Sequence, residues 1–105
     1  MDIYDRLTGC TGFEWDEHNA GKIWSKRLVS PSECEELFFN RPLAVADDIK
    51  HSEAEDRFYA LGHTETGRTL FVVFTVRGTL IRVISARNMN RKEKTRYRAN
   101  EKKNP

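Results

Sequence analysis

Residues 69–76, TLFVVFTV, are an almost continuous apolar run. Eight residues rich in β-branched and aromatic side chains, closed by turn formers, suit a strand in the middle of a sheet, covered on both faces. Arg77-Gly78-Thr79 follows as a tight hairpin, and LIRVISA (80–86) returns beside it. Two central strands joined this closely must run antiparallel. Upstream, RFYALGHT (57–64) turns through Glu65-Thr66-Gly67 into the same run, and LAVADD (43–48) precedes it across the charged connection IKHSEAED. The last four strands therefore read as an antiparallel meander.

Before the meander lie a strand and two helices. GFEWD (12–16) alternates so that Phe13 and Trp15 share one face of a short strand. A helix is predicted over 17–27, with Ala20, Ile23 and Trp24 as its apolar stripe and His18, Lys22 and Lys26 nearly opposite. The second helix is better punctuated. Ser30 suits its N-cap, Pro31 its first turn and Glu33 a capping box, with Val29 and Cys34 placed as a hydrophobic staple. Leu37 and Phe38 extend the buried stripe, and Asn40-Arg41-Pro42 stops the helix. At the other end, Asn90 can cap a last helix with Glu93 three residues on, in which Tyr97 and Ala99 are the only apolar residues. The fold class is α+β: a twisted antiparallel sheet with two N-terminal helices on one face and a basic C-terminal helix. One domain over 1–105 is expected, with 1–11 as an N-terminal extension and 88–105 as basic helix and tail.

Charge is unevenly distributed. The net charge is only +2, yet from Arg87 onward eight Lys or Arg face two acids, while the first 86 residues carry ten basic and fourteen acidic side chains. A segregated basic end points to a polyanion or an acidic protein surface, or to a plain solvated helix face. No apolar stretch approaches the roughly 18 residues of a membrane span. MDIYDRL has neither the basic nor the apolar region of a signal peptide, so a cytoplasmic location is expected. Cys10 and Cys34 lack CxxC spacing and the three histidines lack paired zinc spacing, so no metal or cofactor is expected.

The chain contains no G-x-S-x-G, P-loop or dinucleotide fingerprint. What it offers is cations and proton-transfer groups near strand ends: Arg77, Arg82, Arg87, His51, Lys22, Lys26 and Tyr97. Such a set suits RNA cleavage without a metal, in which a base takes the 2′-OH proton and cations hold the charge on the phosphorane. Strand parity separates Arg82 from Arg87: five residues apart, they face opposite ways unless a bulge intervenes. Arg87, beside the basic helix, is the better candidate. Each residue also has a bland reading: Arg77 as an exposed turn arginine, His51 as an ordinary loop histidine, Tyr97 as its helix's apolar anchor, and Cys34 as a small core residue.

Three stretches, GFEWDEHNAGKIWSKRLVSPSECEELFF, HSEAEDRFYALGHTETGRTLFVVFTVRG and RVISARNMNRKEKTRY, resemble the BrnT family of bacterial ribonuclease toxins from about Phe13 to Tyr97. The resemblance implies a fold like that of RelE-type toxins and endoribonuclease activity that inhibits growth. It also implies a BrnA-like ribbon-helix-helix antitoxin that holds the toxin inactive and carries the complex to operator DNA. It matches Lys26, His51, Arg57, Arg77, Arg87, Arg91 and Tyr97 to family positions. With the charge pattern, catalytic roles are expected of Lys26, His51, Arg77, Arg87 and Tyr97, and RNA contacts of Lys22, Arg57, Arg82, Arg91, Lys92 and Lys94. One departure stands out. Family members commonly read Lys-His-Gly where this chain has Lys26-Arg27-Leu28. If that histidine moves protons, His51 or a lysine must replace it here, or the chain binds nucleic acid or antitoxin without cutting. A third reading is an interaction domain whose basic helix docks on an acidic protein.

Overall fold

The computed structural model describes residues 2–52 and 54–103, with the side chains of 51 and 100–103 outside the description. Helix α1 (Ile3–Thr8) leads into β1 (Gly12–Phe13), followed by α2 (Glu17–Arg27) and α3 (Pro31–Leu37). Then come β2 (Ala44–Asp47), a 3₁₀ turn (Ile49–His51), β3 (Phe58–His63), β4 (Thr69–Arg77), β5 (Leu80–Asn88) and α4 (Arg91–Lys103). The architecture is α+β. Its sheet order is β1-β5-β4-β3-β2, so β4 lies at the centre as its apolar run requires.

The sheet is mixed rather than antiparallel throughout. β2, β3, β4 and β5 form the expected meander, but β1 runs parallel to β5, pairing Gly12 with Leu80 and Phe13 with Ile81. β1 is also shorter than the expected 12–16. After Phe13 the chain turns away: Trp15 donates its indole N–H to Glu35 Oε2 at 2.7 Å, and Asp16 becomes the N-cap of α2. Residues 3–8, read as part of an extension, form a helix whose Ile3 and Leu7 pack against the main core.

One face of the sheet carries that core. Phe58 and Ala60 of β3, Leu70, Val72 and Phe74 of β4, and Ile81, Val83 and Ala86 of β5 cluster with Ile23 of α2, Val29, Cys34 and Leu37 of α3, and Phe38. Phe38 meets Phe74 edge-on at 5.1 Å, a favourable aromatic geometry. Gly62 sits where α3 comes closest: a Cβ there would lie 2.6 Å from Leu37 Cγ. Cys34 is fully buried, and burial pushes its thiol up to about 12, so it is a core residue and no nucleophile. The predicted caps are present. Ser30 and Glu33 form a capping box, and Asn90 and Glu93 exchange the same pair of bonds at the start of α4. Trp24 departs from its assigned stripe and is half exposed.

Both sheet edges are closed by side chains. Asn19 donates its amide to Glu14 O and Val83 O, filling the edge of β5 beyond the short β1. At the opposite edge, Tyr4 Oη accepts the Val45 N–H at 2.8 Å and donates to Leu43 O. Unpaired strand edges invite association, and these contacts occupy some of the backbone groups that would otherwise be free there.

Candidate nucleic-acid interface

The second face of the sheet is not fully covered. β4 was expected to be buried on both sides, but Phe71 and Val73 on this face are only partly buried. α4 closes one end, where Tyr97 and Met89 pack on Leu61 with Phe71 beside them. Residues 55–57 close the other: Asp56 O accepts a hydrogen bond from the buried Thr75 hydroxyl at 2.7 Å, and Glu55 holds Arg77. Between these two covers an open groove of about 420 Å³ is lined by Asp48, Arg57, Tyr59, Phe71, Val73, Ile84 and Ser85.

A β-bulge decides which arginines share this face. Val73 pairs with Ser85 while Phe74 pairs with Val83, leaving Ile84 as the extra residue of β5. The bulge inserts one residue into a two-residue period, so Arg82 opposite Thr75 and Arg87 opposite Phe71 both point to the open face. This corrects the parity argument that set them on opposite faces. Arg77, six residues beyond Phe71 on β4, and Arg57, a groove-lining residue, belong to the same side.

Most of these cations are already engaged. Arg87 makes a two-pronged pair with Glu93 at 2.8 and 2.9 Å, and its guanidinium lies 4.2 Å from the centre of the Phe71 ring. The pairing lowers the Glu93 carboxyl and raises Arg87, each chiefly through the hydrogen bonds between them. Arg77 is held by Glu55 and Glu14; Arg82, by Glu14 and Asp16. Arg57 differs, making no ion pair among the described residues.

The remaining predicted residues divide between this face and the helices. Tyr97 is buried: its hydroxyl donates to Pro42 O at 2.6 Å and lies 2.7 Å from His63 Nδ1. With its one proton on Pro42, the phenol must accept from His63, so the imidazole carries its hydrogen on Nδ1. That is the geometry of a helix anchor. Ala99, its expected companion, is exposed. Lys22 and Lys26 are exposed on α2 and do not line the groove; Arg91, Lys92 and Lys94 are exposed on the first turns of α4. His51 ends the 3₁₀ turn, and its side chain lies outside the described residues. The carboxylates Glu14, Asp16, Glu55 and Glu93 were missed as partners, as was the aromatic pair Tyr59 and Phe71. Alternation in RFYALGHT sets Tyr59 opposite the apolar Phe58 and Ala60, the one signal that could have found it.

Among the described residues no three His, Cys, Asp or Glu side chains gather as a metal-ligand set, and no helix is long and apolar enough to cross a membrane.

These features define an α+β protein with an arginine-bearing, half-covered sheet face flanked by a basic helix. The family described as "Ribonuclease toxin, BrnT, of type II toxin-antitoxin system" matches residues 15–93, well over half of the chain, and the chain belongs to that family. A search of curated proteins finds no match. Membership makes RNA the target class and an antitoxin the partner class.

The Lys26-Arg27-Leu28 corner is built without a glycine. Leu28 caps α2 with φ 54° and ψ 41°, a left-handed conformation that a glycine adopts without strain. Its carbonyl accepts from Arg68 Nη1, which also meets both oxygens of Glu33 at 3.1 Å. The corner between α2 and α3 is thus fixed although a leucine stands at this left-handed position.

Proposed function

We propose that this chain is an endoribonuclease toxin that cleaves RNA by attack of a 2′-hydroxyl on its own 3′-phosphate, with the phosphate held against the open sheet face near Arg87. The observation that carries the reading is the presence of Arg57, Arg77, Arg82 and Arg87 on one face, with the bulge at Ile84 turning Arg82 to the same side as Arg87. In this step a base removes the 2′-OH proton, the new O–P bond forms, the P–O5′ bond breaks, and the departing 5′-oxygen takes a proton. Arginine forks suit the charge on the non-bridging oxygens. Arg87 would exchange its Glu93 contacts for phosphate oxygens while the Phe71 ring holds its plane. His51, which ends the 3₁₀ turn that follows the groove-lining Asp48, is the proposed proton-transfer group; Lys26, on α2, would take that part only for a strand that reaches round from the groove. Arg91, Lys92, Lys94 and Lys22 draw the strand in, and Tyr97 positions α4. In the cytoplasm a BrnA-like antitoxin would cover this face. The architecture is read as that of RelE-type toxins, and the chemistry as independent of a metal.

The test is cleavage of a single-stranded RNA by the purified chain in EDTA. Products should end in 2′,3′-cyclic phosphate. Arg87→Ala should lower the rate about a hundredfold, the scale of one lost charge-assisted contact to a developing phosphorane. Cleavage that requires magnesium, or full activity in a folded Arg87→Ala variant, would overturn the reading. A second reading, binding without cleavage, is favoured by Arg27 standing where the family commonly has histidine. Salt-sensitive RNA binding with no products would establish it.

A further inference from the structure

The groove between α4 and residues 55–57 has a composition that phosphate binding does not require. Its floor is Val73, the smallest apolar residue of the central row, and Tyr59 and Ser85 stand directly beside it as its cross-strand partners. The Tyr59 and Phe71 rings are stacked, centroids 5.5 Å apart and planes inclined by 22°. Arg87 lies over the Phe71 ring, so a single row runs from an aromatic pair to the cation nearest the proposed scissile phosphate. At the rim is Arg57, which has no ion pair among the described residues, although Glu55 senses its charge. Tyr59 is half-buried, as are Phe71, Val73 and Ile84 around it, and its hydroxyl has no hydrogen-bond partner among the described residues. A half-buried aromatic ring beside a guanidinium that has no ion pair among the described residues matches a nucleotide: a flat π-face on one part and a negative phosphate on the other.

We infer that this groove is a nucleobase subsite, in which one unstacked base of single-stranded RNA lies on Tyr59 and its phosphate meets Arg57. The inference rests on the reading of the open face as the RNA-binding surface. It adds that binding depends on a base at one particular position and not on the phosphate backbone alone. A paired base is excluded, because stacking on Tyr59 requires its removal from the helix.

The experiment uses the full chain and a set of 2′-O-methyl heptanucleotides, which cannot be cleaved through the 2′-oxygen, each with a different single position made abasic. Affinity is measured by fluorescence anisotropy for the wild type and for Tyr59→Phe, Tyr59→Leu and Tyr59→Ala. One abasic position should weaken wild-type binding at least about tenfold, the usual scale of a base stacked on an aromatic ring. Tyr59→Phe should keep that penalty. Tyr59→Leu, which retains apolar volume without the ring, should abolish it, as should Tyr59→Ala if thermal melting shows it folded. Equal affinity for all abasic oligonucleotides, or a penalty unchanged in Tyr59→Leu, would overturn the subsite. Matched all-ribose heptamers separate the two readings. Cleavage without any abasic effect removes the subsite and leaves the ribonuclease. An abasic effect without cleavage leaves the subsite and removes the ribonuclease. No binding at all removes both.

Discussion

Leu28 shows how a single residue can hold backbone strain. A left-handed conformation costs a non-glycine residue roughly 1–2 kcal/mol, and Leu28 recovers little of it by packing because its side chain is 62% exposed. Leu28→Gly should therefore stabilise the protein by about 1 kcal/mol, seen as a higher melting temperature; a glycine's freedom in the unfolded chain limits the gain. Unchanged or lower stability would mean that the Leu28 side chain contributes contacts beyond its exposure. At this scale the sequence was legible wherever the signal is local. Ser30 with Glu33 and Asn90 with Glu93 were readable because a cap and its partner lie three residues apart. The box of Asp16 and Asn19 was not, since its third residue is asparagine and not glutamate. Nor were the partners of the arginines. Glu14 meets Arg77 and Arg82 from more than sixty residues away, a separation over which spacing carries no information.

Among the elements, α3 and α4 give opposite expectations. α3 presses on the sheet so closely that Gly62→Ala must displace Leu37, and overpacking of this kind costs about 1–3 kcal/mol. Chemical denaturation of Gly62→Ala should show that loss, and neutrality would mean that α3 shifts freely. α4 has one buried residue among those whose side chains are described, Tyr97, and a surface of like charges. Its amides over 91–99 should exchange faster than those of 70–76 in the free protein, faster still in Tyr97→Phe, and slower once RNA or antitoxin is bound. Protection equal to that of β4 in the free chain would make α4 part of the rigid framework. Periodicity found α2, α3, α4 and the four long strands. It missed α1, and it set β1 as a longer strand, because a two-residue parallel bridge has no pattern of its own.

At the scale of the whole molecule, four carboxylates set the response to acid. Asp16, Glu33, Glu55 and Glu93 are all held below their ordinary values, Asp16 and Glu33 chiefly by backbone hydrogen bonds and Glu55 and Glu93 by arginine. A carboxyl depressed in the folded state stabilises above its unfolded value and loses that contribution as pH falls through the folded one. The melting temperature should thus be nearly flat from neutral pH down to the ordinary glutamate value of 4.5 and fall below it, less steeply in Glu93→Gln. A decline beginning near pH 6 would mean that these carboxylates do not set the response. Composition and pattern fixed the sheet's centre and the basic end, but not which face stays open, because a strand's parity holds only until a residue is added to it. Ile84 is that added residue, and its consequence is genetic. Loss of one in-frame codon there would restore the two-residue period, sending Arg82 toward the core and Ile81 and Val83 outward, and parting Asn19 from Val83 O. Single-residue deletions are therefore expected among mutants that survive selection against the toxin, concentrated at this codon and absent from the turn at Gly67, where the chain has room to shorten.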